Sequence, residues 1–304
     1  MHTVVLTISL LSLLHPKEAI LRPTNNARLT IRTKDLQPRQ LLSGESMRVI
    51  SKDEWLTTVA SPQPITVEIP GKFTRTYPGP LRIRSVHGLL EITTTVSLET
   101  AVAWAVEAES MPHANTEARK ALAVVARSWF LATRGRHGAI DACDTTHCQY
   151  LGSPKAISAE VIATQGMVML HEGKPLEAMH HANCGGRTQS LAEVGLAAQP
   201  YPFYSVKCPA PAAPWNRTLS ADDARRISEN LHHENTRIDL CRRLGWDAIP
   251  SNNYQLTGMV LHGKGRGHGV GLCQEGAAAL AETGSDFAAI LRHFFPNTLL
   301  TSFR

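Results

Sequence analysis

Leu90-Glu-Ile-Thr-Thr-Thr-Val-Ser-Leu-Glu-Thr-Ala-Val-Ala-Trp-Ala-Val-Glu-Ala-Glu109 is where the chain changes its period. Leu90 and Ile92 alternate with polar neighbours, the two-residue repeat of a half-buried strand. Beyond Ser97, Leu98, Val102, Ala105, Val106 and Glu109 recur at i, i+4, i+7, i+8 and i+11, one face of a helix. Ser97 is placed to cap that helix and Pro112 lies just past its end.

Working outward, the preceding residues read as β. Leu29/Ile31, Ile65/Val67/Ile69 and Leu81/Ile83 alternate, and Pro70-Gly71 and Pro78-Gly79-Pro80 punctuate them. Thr3-Val-Val-Leu-Thr-Ile-Ser-Leu10 also alternates. The apolar Met1 to Leu14 segment lacks a basic start and an A-x-A cleavage site, so it reads as a strand rather than a signal peptide. Downstream, a second helix is expected over Thr116–Arg134 with Gly135 at its end, on the stripe Ala118, Ala121, Leu122, Val125 and Trp129. A β-rich stretch over 170–208, a helical piece over 220–244 and a last helix over 275–282 follow. The expectation is an α+β fold. A β-rich N-terminal part covers 1–96, and a second part over 97–304 packs a helix pair beside a β groove, with a helical insertion at 218–246.

Composition sets bounds. The 304 residues suffice for one large domain or two smaller ones with a real core. A formal charge of +5 suits an anionic polymer or surface. The basic residues are scattered and aromatics make up 6%, so a stacking platform for nucleic acid is not expected.

Glu109 is a carboxylate on an apolar face, with Glu107 nearly opposite. Desolvation raises the pKa of such a group, and an acid still protonated near neutral pH is what glycosidic cleavage needs at the leaving oxygen. The competing reading is a glutamate that ends its helix and faces water. Lys120 and Arg127, seven apart on one face of the second helix, are candidate cations for acidic or acetamido groups of a ligand, or else a solvated face.

His137, Cys143, His147 and Cys148 supply two imidazoles and two thiols in the pattern H-x5-C-x3-H-C. That set satisfies tetrahedral zinc, and with no open position for water it reads as structural. A Cys143–Cys148 disulfide is the alternative. His180-His-Ala-Asn-Cys-Gly-Gly-Arg-Thr188 holds two histidines and a thiol beside a Gly-Gly turn, and Cys184 is free to pair with Cys208 in an oxidising compartment. Gly265-Arg-Gly-His-Gly-Val-Gly-Leu-Cys-Gln-Glu-Gly-Ala277 has four alternating glycines but fits neither G-x-G-x-x-G nor a P-loop. Glycine is needed where φ is positive or where backbone lies flush against something, so a glycine-walled groove for an extended ligand is expected. His268 and Gln274 would be its polar groups.

Together these segments resemble the SpoIID/LytB family of lytic transglycosylases and amidase enhancers. The similar pieces are Leu98-Glu99 with Glu109, Met111-Pro112, Glu117 to Ser128, Asp144 to Gln149, Cys184-Gly-Gly-Arg-Thr188 and Gly265 to Ala277, in family order. The resemblance implies an enzyme of the cell wall, extracytoplasmic, whose partner is the glycan strand of peptidoglycan. It implies cleavage between N-acetylmuramic acid and N-acetylglucosamine to a 1,6-anhydro end, with Glu109 as catalytic acid and then base. It further implies zinc on His137, Cys143, His147 and Cys148, and glycan contacts from Lys120, Arg127, His181, His268 and Gln274. A non-catalytic glycan binder or amidase activator is the other role in the family. The chain departs from the family pattern in Glu109-Ser-Met-Pro112, which carries an extra residue, and in Glu275 and His180, which replace aromatics.

Overall fold

The computed structural model describes residues 4–24, 27–34, 36–52, 56–61, 63–145, 147–152, 156–196 and 205–303. The fold is α+β with a β-rich N-terminal part. It divides into two compact units: Met1–Glu109 with Thr133–Ser158, and Ser110–Ala132 with Ala159–Arg304. The expected division at 96/97 thus falls inside the first unit. The reason is covalent and local: strand Leu89–Ser97 runs directly into helix α1, Leu98–Glu109.

The first unit carries a seven-stranded sheet in the order 142–143, 5–10, 89–97, 81–86, 56–60, 29–33, 39–41. Strand 5–10 pairs antiparallel with 89–97, in register Val5 to Ser97 and Leu10 to Ile92. Ala142–Cys143 joins its other edge in parallel. A four-stranded sheet is ordered 47–50, 18–23, 65–69, 73–77. The alternating residues point inward as expected: Leu6, Ile8, Leu29, Ile31, Ile65, Val67, Leu81, Ile83 and Ile92 are all buried. Each contributes about 1.5–3 kcal/mol by leaving water. The strand expected from Thr3 is seen from Val5; Met1–Thr3 lie outside the described residues. Helix α1 is capped as expected, with the Thr100 N–H donating to Ser97 Oγ at 3.1 Å.

The second unit is built around α2, Thr116–Ala132. Asn115 caps it, accepting from the Ala118 N–H. Positions 121 to 130 are buried on every side rather than along one stripe, as befits an apolar helix inside its unit. It packs against α3 (Ala159–Ala163), strand 167–171, α6 (Gln274–Glu282) and α7 (Phe287–Phe294). Between them, α4 (Ala221–Glu229) and α5 (Glu234–Leu244) share a small core with the sheet 214–218, 260–264, 254–257, formed by Ile227, Leu240, Ile249 and Leu261. The expected β-rich stretch over 170–208 is thinner than its composition suggests. It holds the end of strand 167–171 and two two-residue strands, 174–175 and 180–181, among the described residues; 197–204 lie outside them.

Candidate functional site

Glu109 is the last residue of α1 and is half-buried, whereas Glu107 is exposed. Trp104 and Val106 on the same helix are fully enclosed. The Gly152 N–H donates to Trp104 O at 3.3 Å, and a Cβ on Gly152 would rest on Ala108. The C-terminal turn of α1 is therefore held from within its own unit.

The Cys/His loop follows in the same unit. Its end is laced to strand 5–10: the Asp141 and Asp144 N–H groups donate to Thr7 O and Ser9 O, and the two carboxylates accept from the N–H groups of Thr7 and Leu11. This lacing turns four side chains toward one point. The ligating atoms of His137, Cys143, His147 and Cys148 all lie within 4.8 Å of one another. His137 Nε2 is 3.1 Å from Cys148 Sγ, and His147 Nδ1 is 3.6 Å from Cys148 Sγ and 3.8 Å from Cys143 Sγ. Bonds of about 2.3 Å to sulfur and 2.0–2.1 Å to nitrogen make tetrahedral edges of about 3.3–3.8 Å, close to these separations, so this set could hold a metal ion. The Cys148 thiol donates to Cys143, which holds the Cys143 thiol down at about 4 and pushes that of Cys148 up. One thiolate is thus already favoured.

In the second unit, α2 disposes of its two candidate cations differently. The Lys120 ammonium donates to Glu117 Oε1 at 2.7 Å and stands 5.9 Å from the centre of the Phe287 ring. Arg127 is wholly buried and donates to the carbonyls of Ala123 and Met167. Seven residues apart do share a face, but strand 167–171 covers the part bearing Arg127. Its guanidinium therefore serves the framework rather than a ligand surface. Glu117 accepts from Lys120 and from the Phe287 N–H at 2.8 Å, which holds its carboxyl below the usual range.

Gln274 opens α6 and lines a small pocket with Ser110, Met111, Arg119, Leu122 and Leu272. The buried Oε1 of Gln274 and Oγ of Ser110 have no hydrogen-bond partner among the described residues. Arg119 Nε lies 3.4 Å from Glu160 Oε1. Glu275 meets His113 Nε2 at 2.9 Å. Ser110 is the residue after Glu109 in the chain.

The glycine loop shows what its glycines are for. Gly265, Gly267, Gly269 and Gly271 all have φ between 77° and 98°, a region open to glycine and strained for other residues. A Cβ at Gly265 would fall 2.4 Å from Asn183 O, and one at Gly271 would fall 2.2 Å from Met179 O. The surface that the glycines lie flush against is the chain's own 179–189 segment. The parallel pairing of His180 with Leu272 and His181 with Cys273 fixes the register.

Both loop histidines are drawn into this packing. His268 Nε2–H donates to His180 O at 2.9 Å, while Nδ1 accepts from the Val270 N–H at 3.1 Å, so neither nitrogen is left for a ligand. Burial pushes its pKa well below the usual histidine value, in keeping with a neutral ring. His181 is buried, with Nδ1 3.0 Å from Val270 O. The ligating atoms of His181, Cys184 and Cys273 gather within 4.8 Å. The sequence reading had Cys184 with Cys208 but did not include Cys273. The signal was the Leu272-Cys273 step immediately after the fourth glycine, whose partner strand is invisible in sequence.

Residues 87–171 match the family model described as SpoIID, Stage II sporulation protein. That segment contains α1, α2 and the Cys/His loop. Among known proteins, the chain is similar to stage II sporulation protein D of Bacillus amyloliquefaciens. The identity is 26% over 252 residues, covering 66% of this chain and 73% of that protein. It is 27% identical over 259 residues to an uncharacterized protein of Brachyspira hyodysenteriae, covering 72% of this chain and 70% of the other. A stretch of 44 residues is 49% identical to the amidase enhancer of Bacillus subtilis, 14% of this chain and 6% of that protein. The resemblance to the SpoIID/LytB family therefore holds. No helix among the described residues is long and apolar enough to cross a membrane.

Proposed function

We propose that the protein is an extracytoplasmic lytic transglycosylase of peptidoglycan, with Glu109 as its single acid and base. What supports this most is the setting of Glu109. It ends α1 half-buried, within the segment 87–171 that matches the SpoIID family model; in the other unit a small pocket holds the unpartnered Ser110 hydroxyl and Gln274 amide oxygen. Polar atoms left so are completed by a polar ligand, since leaving them unpaired costs about 1–3 kcal/mol each. The Glu109 carboxyl protonates the oxygen bridging N-acetylmuramic acid and N-acetylglucosamine, and that bond breaks. The resulting carboxylate then takes the proton of the sugar's C6 hydroxyl as its oxygen closes on C1. No water is consumed and the chain end is a 1,6-anhydro sugar. Gln274 and Lys120 are the proposed sugar contacts, while Arg127, His181 and His268 shape the frame beneath them. The metal on His137, Cys143, His147 and Cys148 is proposed to be zinc. Bound there it is a cross-link with no open position for chemistry.

The experiment is to incubate the protein with peptide-stripped glycan strands in water enriched in oxygen-18 and to read the ends by mass spectrometry. Anhydro ends free of the label are expected, and Glu109→Gln is expected to abolish them while binding persists. Labelled reducing ends would overturn the lytic reaction. The 49% identity to the amidase enhancer over 44 residues favours a second reading, a glycan binder that activates a wall amidase. In that case wild type and Glu109→Gln both bind strands and neither yields anhydro ends.

A further inference from the structure

Besides the loop already described, one other group of thiols and imidazole converges, and nothing in the proposed reaction uses it. His181, Cys184 and Cys273 are buried, and their ligating atoms lie within 4.8 Å of one another. Cys208 stands next to this set rather than inside its 4.8 Å limit, and its thiol is perturbed by those of Cys184 and Cys273. Its position is set by the Cys208 N–H donating to Gly186 O at 3.0 Å, and by Gly276, where a Cβ would fall 2.2 Å from Cys208 Sγ. The first turn of α6 thus leaves room for that sulfur.

We infer that His181, Cys184, Cys208 and Cys273 form a second metal centre, a Cys3His set for a thiophilic dication of the zinc type. The imidazole is prepared for it. His181 Nδ1–H donates to Val270 O, which leaves the lone pair on Nε2, and this buried atom has no hydrogen-bond partner among the described residues. A backbone carbonyl on the far nitrogen is the usual way a ligating histidine is oriented. The sulfurs are prepared as well. Cys273 Sγ accepts from the N–H groups of Cys184 at 3.3 Å and Gly276 at 3.4 Å, and Cys208 Sγ accepts from Ala210 at 3.5 Å. Such donors stabilise thiolate charge. A disulfide would consume two of the three sulfurs and leave the third sulfur and the imidazole lone pair unmet, whereas one tetrahedral cation satisfies all four. The ligands come from the 179–189 segment, the irregular stretch around Cys208 and the end of the glycine loop, so the ion would lock the loop to the segment it lies against.

The test counts metal in the full chain purified without chelator. Two zinc ions per chain are expected by mass spectrometry of the elements. Cys143→Ser with Cys148→Ser should leave one, held by the second centre whatever becomes of the first. Cys184→Ser with Cys273→Ser should remove it. Wild type supplies a readout that needs no variant. Alkylation followed by peptide mapping should label Cys184, Cys208 and Cys273 together, in step with chelator-driven loss of the second zinc. Cobalt in the Cys143→Ser, Cys148→Ser protein should give thiolate-to-metal charge-transfer absorption. A metal count unchanged by Cys184→Ser with Cys273→Ser, or a Cys184–Cys208 disulfide in non-reduced peptides, would overturn the inference.

Discussion

Gly271→Ala separates the two uses a glycine can have in this loop, and Gly173→Ala is its control. Both residues have nearly the same backbone, φ 77° at Gly271 and 76° at Gly173. Both lie in the second unit. An L-residue in this region costs about 1–2 kcal/mol at either site. They differ in what the new methyl meets. At Gly173 nothing lies within 4 Å, whereas at Gly271 the Met179 carbonyl oxygen would be 2.2 Å away and its carbon 2.9 Å. Met179 O also accepts from the Leu272 N–H at 3.0 Å, so it is not free to retreat. Overpacking of this kind adds about 1–3 kcal/mol. Gly173→Ala should therefore lose about 1–2 kcal/mol and Gly271→Ala about 2–5 kcal/mol. At about 2–4 °C per kcal/mol, the two melting temperatures should differ by about 2–12 °C in calorimetry. Equal losses would refute the packing role of the loop. If Gly271→Ala were as stable as its control yet lost glycan binding, the glycines would be there for the ligand.

Three further outcomes are expected. Arg127→Met should destabilise by about 2–5 kcal/mol in urea titration, because it strands the Met167 carbonyl and leaves a void; a stable variant that fails to bind glycan would return Arg127 to the ligand. Lys120→Met should flatten the acid limb of stability. The Glu117 carboxyl is depressed in the fold, chiefly by Lys120, so its contribution is full above its ordinary value of 4.5 and is lost as pH falls through the lowered one. Melting curves of wild type and variant should converge in strong acid and part near neutrality, and parallel curves would count against the pairing. His137→Ala should lower metal content by one ion and bring the melting temperature below that of wild type; an unchanged count would dismiss the first metal loop.

The strands and the two central helices were legible because burial alternates where the sequence does: Leu29/Ile31 and Ile65/Val67/Ile69 are buried as their spacing requires. The switch at Ser97 located α1, but it marks a change of element and not of unit, since strand 89–97 continues into that helix. Helix α7 escaped notice although Phe287, Ile290, Leu291 and Phe294 follow helical spacing and Asp286 caps them by accepting from the Ala289 N–H. The stretch 170–208 was overread as strand because residues such as Leu176, Ala178 and Leu191 are buried by tertiary packing without being in a ladder. Spacing put Lys120 and Arg127 on one face, yet could not say that a strand would cover one and not the other. The glycine alternation announced close backbone approach, but only the fold names the segment approached. The four members of the first Cys/His loop were readable because they are near in sequence. The second group spans 181 to 273, and proximity of that kind is made by a parallel pairing no local pattern encodes.

The division into units has a consequence for biosynthesis. The chain passes from one unit to the other after residues 109, 132 and 158. A ribosome that has released the first hundred residues has not yet delivered strand 142–143, which completes the edge beside strand 5–10. Neither half can be excised by a single cleavage, and a fragment beginning at residue 97 would carry α1 away from the sheet that leads into it. Completion of the amino-terminal unit must therefore wait until residues 110–132, which belong to its neighbour, have been synthesised.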